Sequence, residues 1–156
     1  MSQHIIYQAH KSLLKCRKTI SIAESCTGGL LSTLLTELSG SSKYFYLGLV
    51  TYSNIAKSKI LGVPGRVIAK SGAVSAPVAR LMAEKVRNLA KTDLGIGITG
   101  IAGPTGGTSN KPVGTVFIAV ADRNNTICNK FSFKGTRSNI RRKSALSALK
   151  MLKGFL

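Results

Sequence analysis

Long apolar runs are missing from this chain. No stretch approaches the ~20 residues that a bilayer-spanning helix needs. The first residues, MSQHIIYQAHKSLLKCRK, lack the unbroken apolar core of a secretory signal. Cysteine is scarce: Cys16, Cys26 and Cys128 are an odd number with no CxxC spacing. That argues against a disulfide framework or a zinc site and suits reduced thiols in the cytoplasm. No repeat, linker or low-complexity tract divides the chain, so residues 1–156 read as one domain without a membrane segment.

Carboxylates are the rarest charged groups. Glu24, Glu37, Glu84, Asp93 and Asp122 stand against 23 Lys and Arg, a net charge of +18. Such an excess first suggests an anionic partner, nucleic acid included. The basic residues are spread along the chain, however. Their densest run is Arg141-Arg142-Lys143, with no aromatic-rich stretch beside it. A solvated basic surface is the simpler reading. A non-catalytic nucleotide- or nucleic-acid-binding module stays as the alternative, and nucleic acid is not the favoured partner.

Helical and strand patterns fill most of the 156 residues. Apolar spacing predicts helices over 3–16, 28–38, 53–61, 76–91 and 137–152. In the fourth, Val78, Met82, Val86 and Leu89 form the expected buried stripe, with Ser75 as N-cap. Strands are predicted over 19–23, 44–52 and 94–99. Two more, 113–121 and 126–133, flank the turn-rich Asp122-Arg123-Asn124-Asn125 and read as a hairpin. Gly95 and Gly97 alternate with bulky residues, which would let a neighbouring backbone come close. The expected fold is α/β: a single-domain α/β/α sandwich with a mixed, partly parallel sheet.

Two small-residue loops carry the functional signal: SIAESCTGG at 21–29 and GITGIAGPTGG at 97–107. Each follows a predicted strand, where α/β sheets bind ligands. Small residues there let backbone N–H groups approach an anion, and a following helix N-terminus adds a favourable field. Neither loop matches a Walker motif or a dinucleotide fingerprint. The pocket suggested is one for a phosphorylated small molecule, with no cofactor.

Six ordered motifs bring a resemblance into view: AESCTGG at 23–29, GSS at 40–42, VTYSN..K at 50–57, GAVS at 72–75, TGIAGPTGG at 99–107 and KPVGTV at 111–116. The chain resembles the C-terminal domain of the CinA family, the nicotinamide-nucleotide amidases. That resemblance implies a cytoplasmic, metal-independent amidohydrolase that self-associates into a homo-oligomer. Its substrate would be nicotinamide mononucleotide, converted to nicotinate mononucleotide and ammonia.

The resemblance places the catalytic serine–lysine pair at Ser42 and Lys57, with Tyr52 to relay a proton or hold the serine. Ser25, at a strand-to-helix turn, is the second candidate nucleophile. No Ser-His-Asp set competes, since His4 and His10 both lie in the first helix pattern. Lys57 must be neutral to act as a base, and burial with nearby positive charge lowers a lysine pKa. Cys26 beside a helix start could hold a thiolate, but it ranks behind the serines because no histidine neighbours it in sequence. Substrate contacts are expected from Glu24, Thr27 and Gly28 in the first loop. The second would offer Thr99, Gly100, Ala102, Gly103, Thr105 and Gly106. Arg137 and Arg141, four apart on one helix face, would bind phosphate. Glu24 also suits a helix-capping role. Ile55 departs from the resemblance, standing where relatives commonly carry an acid.

Overall fold

The structure, a computed structural model, describes residues 2–156. Along these residues the elements are α1 (Ser2–Cys16), β1 (Ile20–Glu24), α2 (Leu30–Thr36), β2 (Phe45–Val50), α3 (Asn54–Lys59) and α4 (Gly65–Ser71). They continue as α5 (Ala76–Ala90), β3 (Leu94–Gly100), β4 (Thr115–Ala121), β5 (Thr126–Ser132) and α6 (Arg137–Leu152). The strands form one sheet in the order β2-β1-β3-β4-β5. β1 runs parallel to both β2 and β3, while β3–β4 and β4–β5 are antiparallel. The expected mixed sheet is therefore present, and β4–β5 is the expected hairpin. Its turn is closed by the Asp122 carboxylate, which accepts the N–H groups of Asn124 and Asn125 at 2.8 and 2.7 Å.

Burial explains which strands lie where. β1 and β3 are buried along nearly their whole length, as central strands covered on both faces must be. β2 alternates between half-buried and exposed residues, as an edge strand does. One face packs Ile22, Ile96, Ile98 and Ile118 against Leu13 of α1, Leu31 and Leu35 of α2, and Ile140 and Leu149 of α6. The other face packs Ala119 and Ala121 against Ala79 and Ala83 of α5, while Val78, Met82 and Val86 meet Ala23, Leu61, Val63 and Ile68. Each fully buried Val, Leu, Ile or Met among them contributes about 1.5–3 kcal/mol. The result is the three-layer α/β/α arrangement.

Gly95 and Gly97 act as their spacing predicts. A Cβ at either position would collide with the backbone carbonyl oxygens of Ala83 or Ala79 in α5. The helix thus lies directly on β3, and this contact sets the height of the loop that leaves the end of that strand.

Several expectations need correction. Ser75 stands at the N-cap position of α5, but its hydroxyl donates to the Gly72 carbonyl at 2.8 Å instead of capping a helix amide. Leu89 is exposed, since the buried stripe of α5 ends at Val86 and Leu89 lies in the last turn beyond it. The second helix is shorter than 28–38, since Gly28 and Gly29 take positive φ values of 59° and 93° that an α-helix does not accept. Helix α4 was not expected. Its seven residues begin with glycine and bury only Ile68, too little for a periodic signal.

Candidate active site

The parallel register brings the site together. Glu24, the last residue of β1, pairs with Val50 on one side and Ile98 on the other. The ladder continues one step further: Thr51 donates its N–H to the Glu24 carbonyl at 2.8 Å, and Ser25 donates its own to the Ile98 carbonyl at 3.0 Å. Ser25 is therefore fixed where three parallel strands end. Its carbonyl accepts the Gly28 N–H at 3.1 Å, which turns the chain sharply toward α2.

Lys57 reaches this point from α3. That helix starts at Ser53, whose side chain accepts the Ala56 N–H at 3.0 Å. The cap aims the first turn back at the strand ends. Lys57 is only 1 % exposed. Its Nζ lies 2.9 Å from Ser25 Oγ, 2.9 Å from the Thr51 carbonyl and 3.1 Å from the Tyr52 carbonyl. All three partners are uncharged. Burial accordingly pushes the amine below the usual lysine range. A neutral amine has two N–H bonds and one lone pair. In that form the two carbonyls, which can only accept, would take both N–H bonds and the lone pair would face the serine hydroxyl. Such an arrangement suits a general base beside a nucleophile.

The pair opens into a cleft of about 330 Å3, within the range of small-molecule sites. Ser25, Cys26, Tyr52 and Asn54 line one side. Ala73, Val74 and the run Thr99–Gly103, with Thr105 and Gly106, line the other. Arg137, the first residue of α6, closes the rim. Its guanidinium donates to the Gly103 carbonyl at 2.8 Å and to the Tyr52 hydroxyl at 2.9 Å. Thr99 Oγ1 donates to the Ala73 carbonyl at 2.9 Å and so joins the two walls of that side. A larger groove, about 700 Å3, lies between α1 and the end of α6 and holds none of these groups.

The structure separates the two candidate serines. Ser42 is exposed in a short 3-10 turn, Ser41–Lys43, just before β2 begins. Lys57 lies past the other end of β2, and a six-residue strand spans about 20 Å. Ser25, not Ser42, is the serine that meets the lysine. Tyr52 has no hydrogen bond to either serine, contrary to the expectation that it relays a proton or holds the serine: its carbonyl accepts from Lys57, while its phenol points to the rim and engages Arg137.

Glu24 has no free valence for a ligand. One carboxylate oxygen accepts the N–H groups of Gly29 and Leu31, both at 3.1 Å. The other accepts the Ser32 N–H at 2.9 Å and its hydroxyl at 2.7 Å. It is the anionic cap of α2. Arg141 gives Nε and Nη2 to the Thr27 carbonyl, at 3.1 and 2.7 Å, and braces the first loop from behind. Thr27, Gly28 and Arg141 are not among the cleft-lining residues, whereas Arg137 is. Cys26 lines the cleft, but burial pushes its thiol up to about 12, so it stays protonated. Ile55 is exposed, and the hydrogen-bond partners of Lys57 are Ser25, Thr51 and Tyr52. Thr51, Asn54, Ala73, Val74 and Ile101 belong to the site without having been singled out. The signal for Thr51 was its place one step past a strand parallel to β1, which no local pattern reveals.

These features define a class: an α/β/α domain with a buried serine–lysine pair where its parallel strands end. The chain belongs to the CinA C-terminal domain family, whose sequence pattern matches residues 2–156. Among curated proteins, it is similar to a CinA-like protein of Syntrophus aciditrophicus, 54 % identical over 147 residues, covering 93 % of this chain and 35 % of that one. A CinA-like protein of Geobacter sulfurreducens is 51 % identical over 86 % of this chain and 33 % of its own. The chain thus spans about a third of the length of these relatives. Among solved structures, the competence/damage inducible protein CihA of Agrobacterium tumefaciens superposes with a TM-score of 0.95 at 36 % identity, covering 98 % of this chain and 94 % of that one. A CinA superfamily protein of Escherichia coli gives 0.94 at 31 % identity, covering 100 % and 91 %. Among the described residues, no helix is long and apolar enough to cross a membrane.

Proposed function

We propose that this domain hydrolyses the carboxamide of nicotinamide mononucleotide, with Ser25 as nucleophile and Lys57 as general base. The observation that carries the reading is the buried Lys57 amine, 2.9 Å from Ser25 Oγ with no anionic partner to keep it protonated.

The steps follow from that pair. Lys57 takes the Ser25 proton as Oγ attacks the carboxamide carbon. The tetrahedral intermediate collapses as Lys57 returns the proton to the departing nitrogen, which leaves as ammonia. Ser25 then carries the nicotinyl group as an ester. Lys57 next deprotonates a water that attacks this ester, and the proton goes back to Ser25 Oγ as nicotinate mononucleotide is released. The substrate phosphate would lie among the small residues of the Gly100–Gly106 loop and the Arg137 guanidinium, which lines the same rim.

Incubation of the purified chain with nicotinamide mononucleotide should yield equal amounts of ammonia and nicotinate mononucleotide. Ser25→Ala should lose kcat by about 10³-fold or more while staying folded, and Ser42→Ala should stay within about twofold of wild type. Full activity in Ser25→Ala, or its loss in Ser42→Ala, would return the nucleophile to the exposed turn. No product from the wild type would remove this substrate.

A further inference from the structure

The KPVGTV motif has no part in the chemistry above, yet its lysine crosses between the two segments that make one side of the cleft. Lys111 lies at the far end of the long loop from Ile101 to Gly114, which carries Ala102, Gly103, Thr105 and Gly106 into the cleft. The loop's base is tied by the Ile101 N–H to the Thr115 carbonyl at 2.9 Å and the Gly114 N–H to the Ile101 carbonyl at 2.7 Å. Its far end closes on itself. The Thr108 N–H donates to the Lys111 carbonyl at 2.9 Å, and the Lys111 N–H donates to Thr108 Oγ1 at 3.1 Å. From this closed turn the Lys111 ammonium reaches back 40 residues and donates to the Ser71 carbonyl at 3.0 Å.

Ser71 ends α4, where a cation is favourably placed against the last helix carbonyls. The next residues, Gly72, Ala73 and Val74, connect α4 to α5, and the last two line the cleft. Gly72 has a φ of +77°, and a Cβ there would come within 3.2 Å of Lys111 Nζ. The connector is thus shaped to receive the ammonium. Lys111 is not among the cleft-lining residues.

We propose that Lys111 is a positioning residue that straps the glycine-rich loop to the α4–α5 connector and so fixes the width of the substrate cleft. The inference rests on the reading of that cleft as the substrate site. The strap acts on ligand binding and leaves the Ser25–Lys57 pair alone, since that pair hangs from β1, β2 and α3.

The test compares Lys111→Met and Lys111→Arg with wild type in two measurements. The first is backbone hydrogen exchange, which needs no activity and stands even if nicotinamide mononucleotide is not the substrate. Exchange over residues 101–107 and 71–75 should accelerate in Lys111→Met and return toward wild type in Lys111→Arg, with β1 and β3 unchanged. The second is steady-state kinetics. Lys111→Met should raise KM about tenfold, the scale of one lost charge-assisted hydrogen bond, with kcat within about threefold. Exchange and KM both unchanged in Lys111→Met would overturn the strap. So would faster exchange throughout the fold with kcat and KM failing together, which would make Lys111 a general stability residue. Faster local exchange with no product from any variant, wild type included, would overturn the substrate assignment and keep the strap.

Discussion

The two glycine-rich loops leave neighbouring parallel strands at the same end of the sheet, yet they are held in opposite ways. The first, from Ser25 to Gly29, is held closely by its own chain, although the buried Thr27 hydroxyl has no partner. Glu24 accepts four donors from Gly29, Leu31 and Ser32, and Arg141 clamps the Thr27 carbonyl from behind. The second, from Ile101 to Gly114, is exposed over most of its length and is tied down at a few points. A nucleophile must be held to a fraction of an ångström, and the proposed one, Ser25, lies on the closely held loop. Recognition of a variable ligand surface can use backbone that stays open, and the second loop leaves it open.

That contrast predicts where each substitution will be felt. The largest effect belongs to Lys57→Ala, which should lower kcat by about 10³-fold or more in a nicotinamide mononucleotide assay. Lys57→Arg should do no better, because a guanidinium keeps its proton. In the wild type, the neutral amine grows as pH rises through its lowered pKa, so kcat/KM should climb along one limb centred below the ordinary lysine value. Stability takes the same sign: between the folded and unfolded pKa values the unfolded chain binds the extra proton, so the Lys57 contribution improves as pH rises.

Glu24→Ala comes next. It strips the acceptor from three backbone N–H groups and a hydroxyl in a fully buried place, and should cost about 3 kcal/mol in denaturant unfolding. If stability is unchanged, the first loop is not held as described. The smallest effect belongs to the second loop. Arg137→Ala should raise KM for nicotinamide mononucleotide about tenfold, close to 1.4 kcal/mol, with kcat within about threefold. A collapse of kcat in that variant would erase the division of labour between the loops.

Much of this architecture was legible in the residues. The strand and helix patterns placed ten of the elements, and Gly95 and Gly97 announced the close helix above β3 because only a missing side chain allows that approach. Lys57 was legible as a site residue. The serine it meets was not, because the choice between Ser25 and Ser42 depends on which strands are neighbours. The pairing of β1 with β2 puts Thr51 and Ser25 side by side and sends Ser42 to the far end of β2. Sequence spacing, which sets Ser42 nearer to Lys57 along the chain, points the wrong way. Arg137 and Arg141 were equally ambiguous: one helical turn decides that the first faces the cleft and the second faces the back of the first loop.

The shortage of acids has a further consequence, at long range. With Glu24 committed to capping α2, the remaining four acids face a large excess of Lys and Arg, and the net charge is strongly positive. The field around the domain is attractive to any anion far beyond contact distance, and encounter with a phosphate-bearing molecule should quicken in dilute buffer and slow as added ions shorten the screening length.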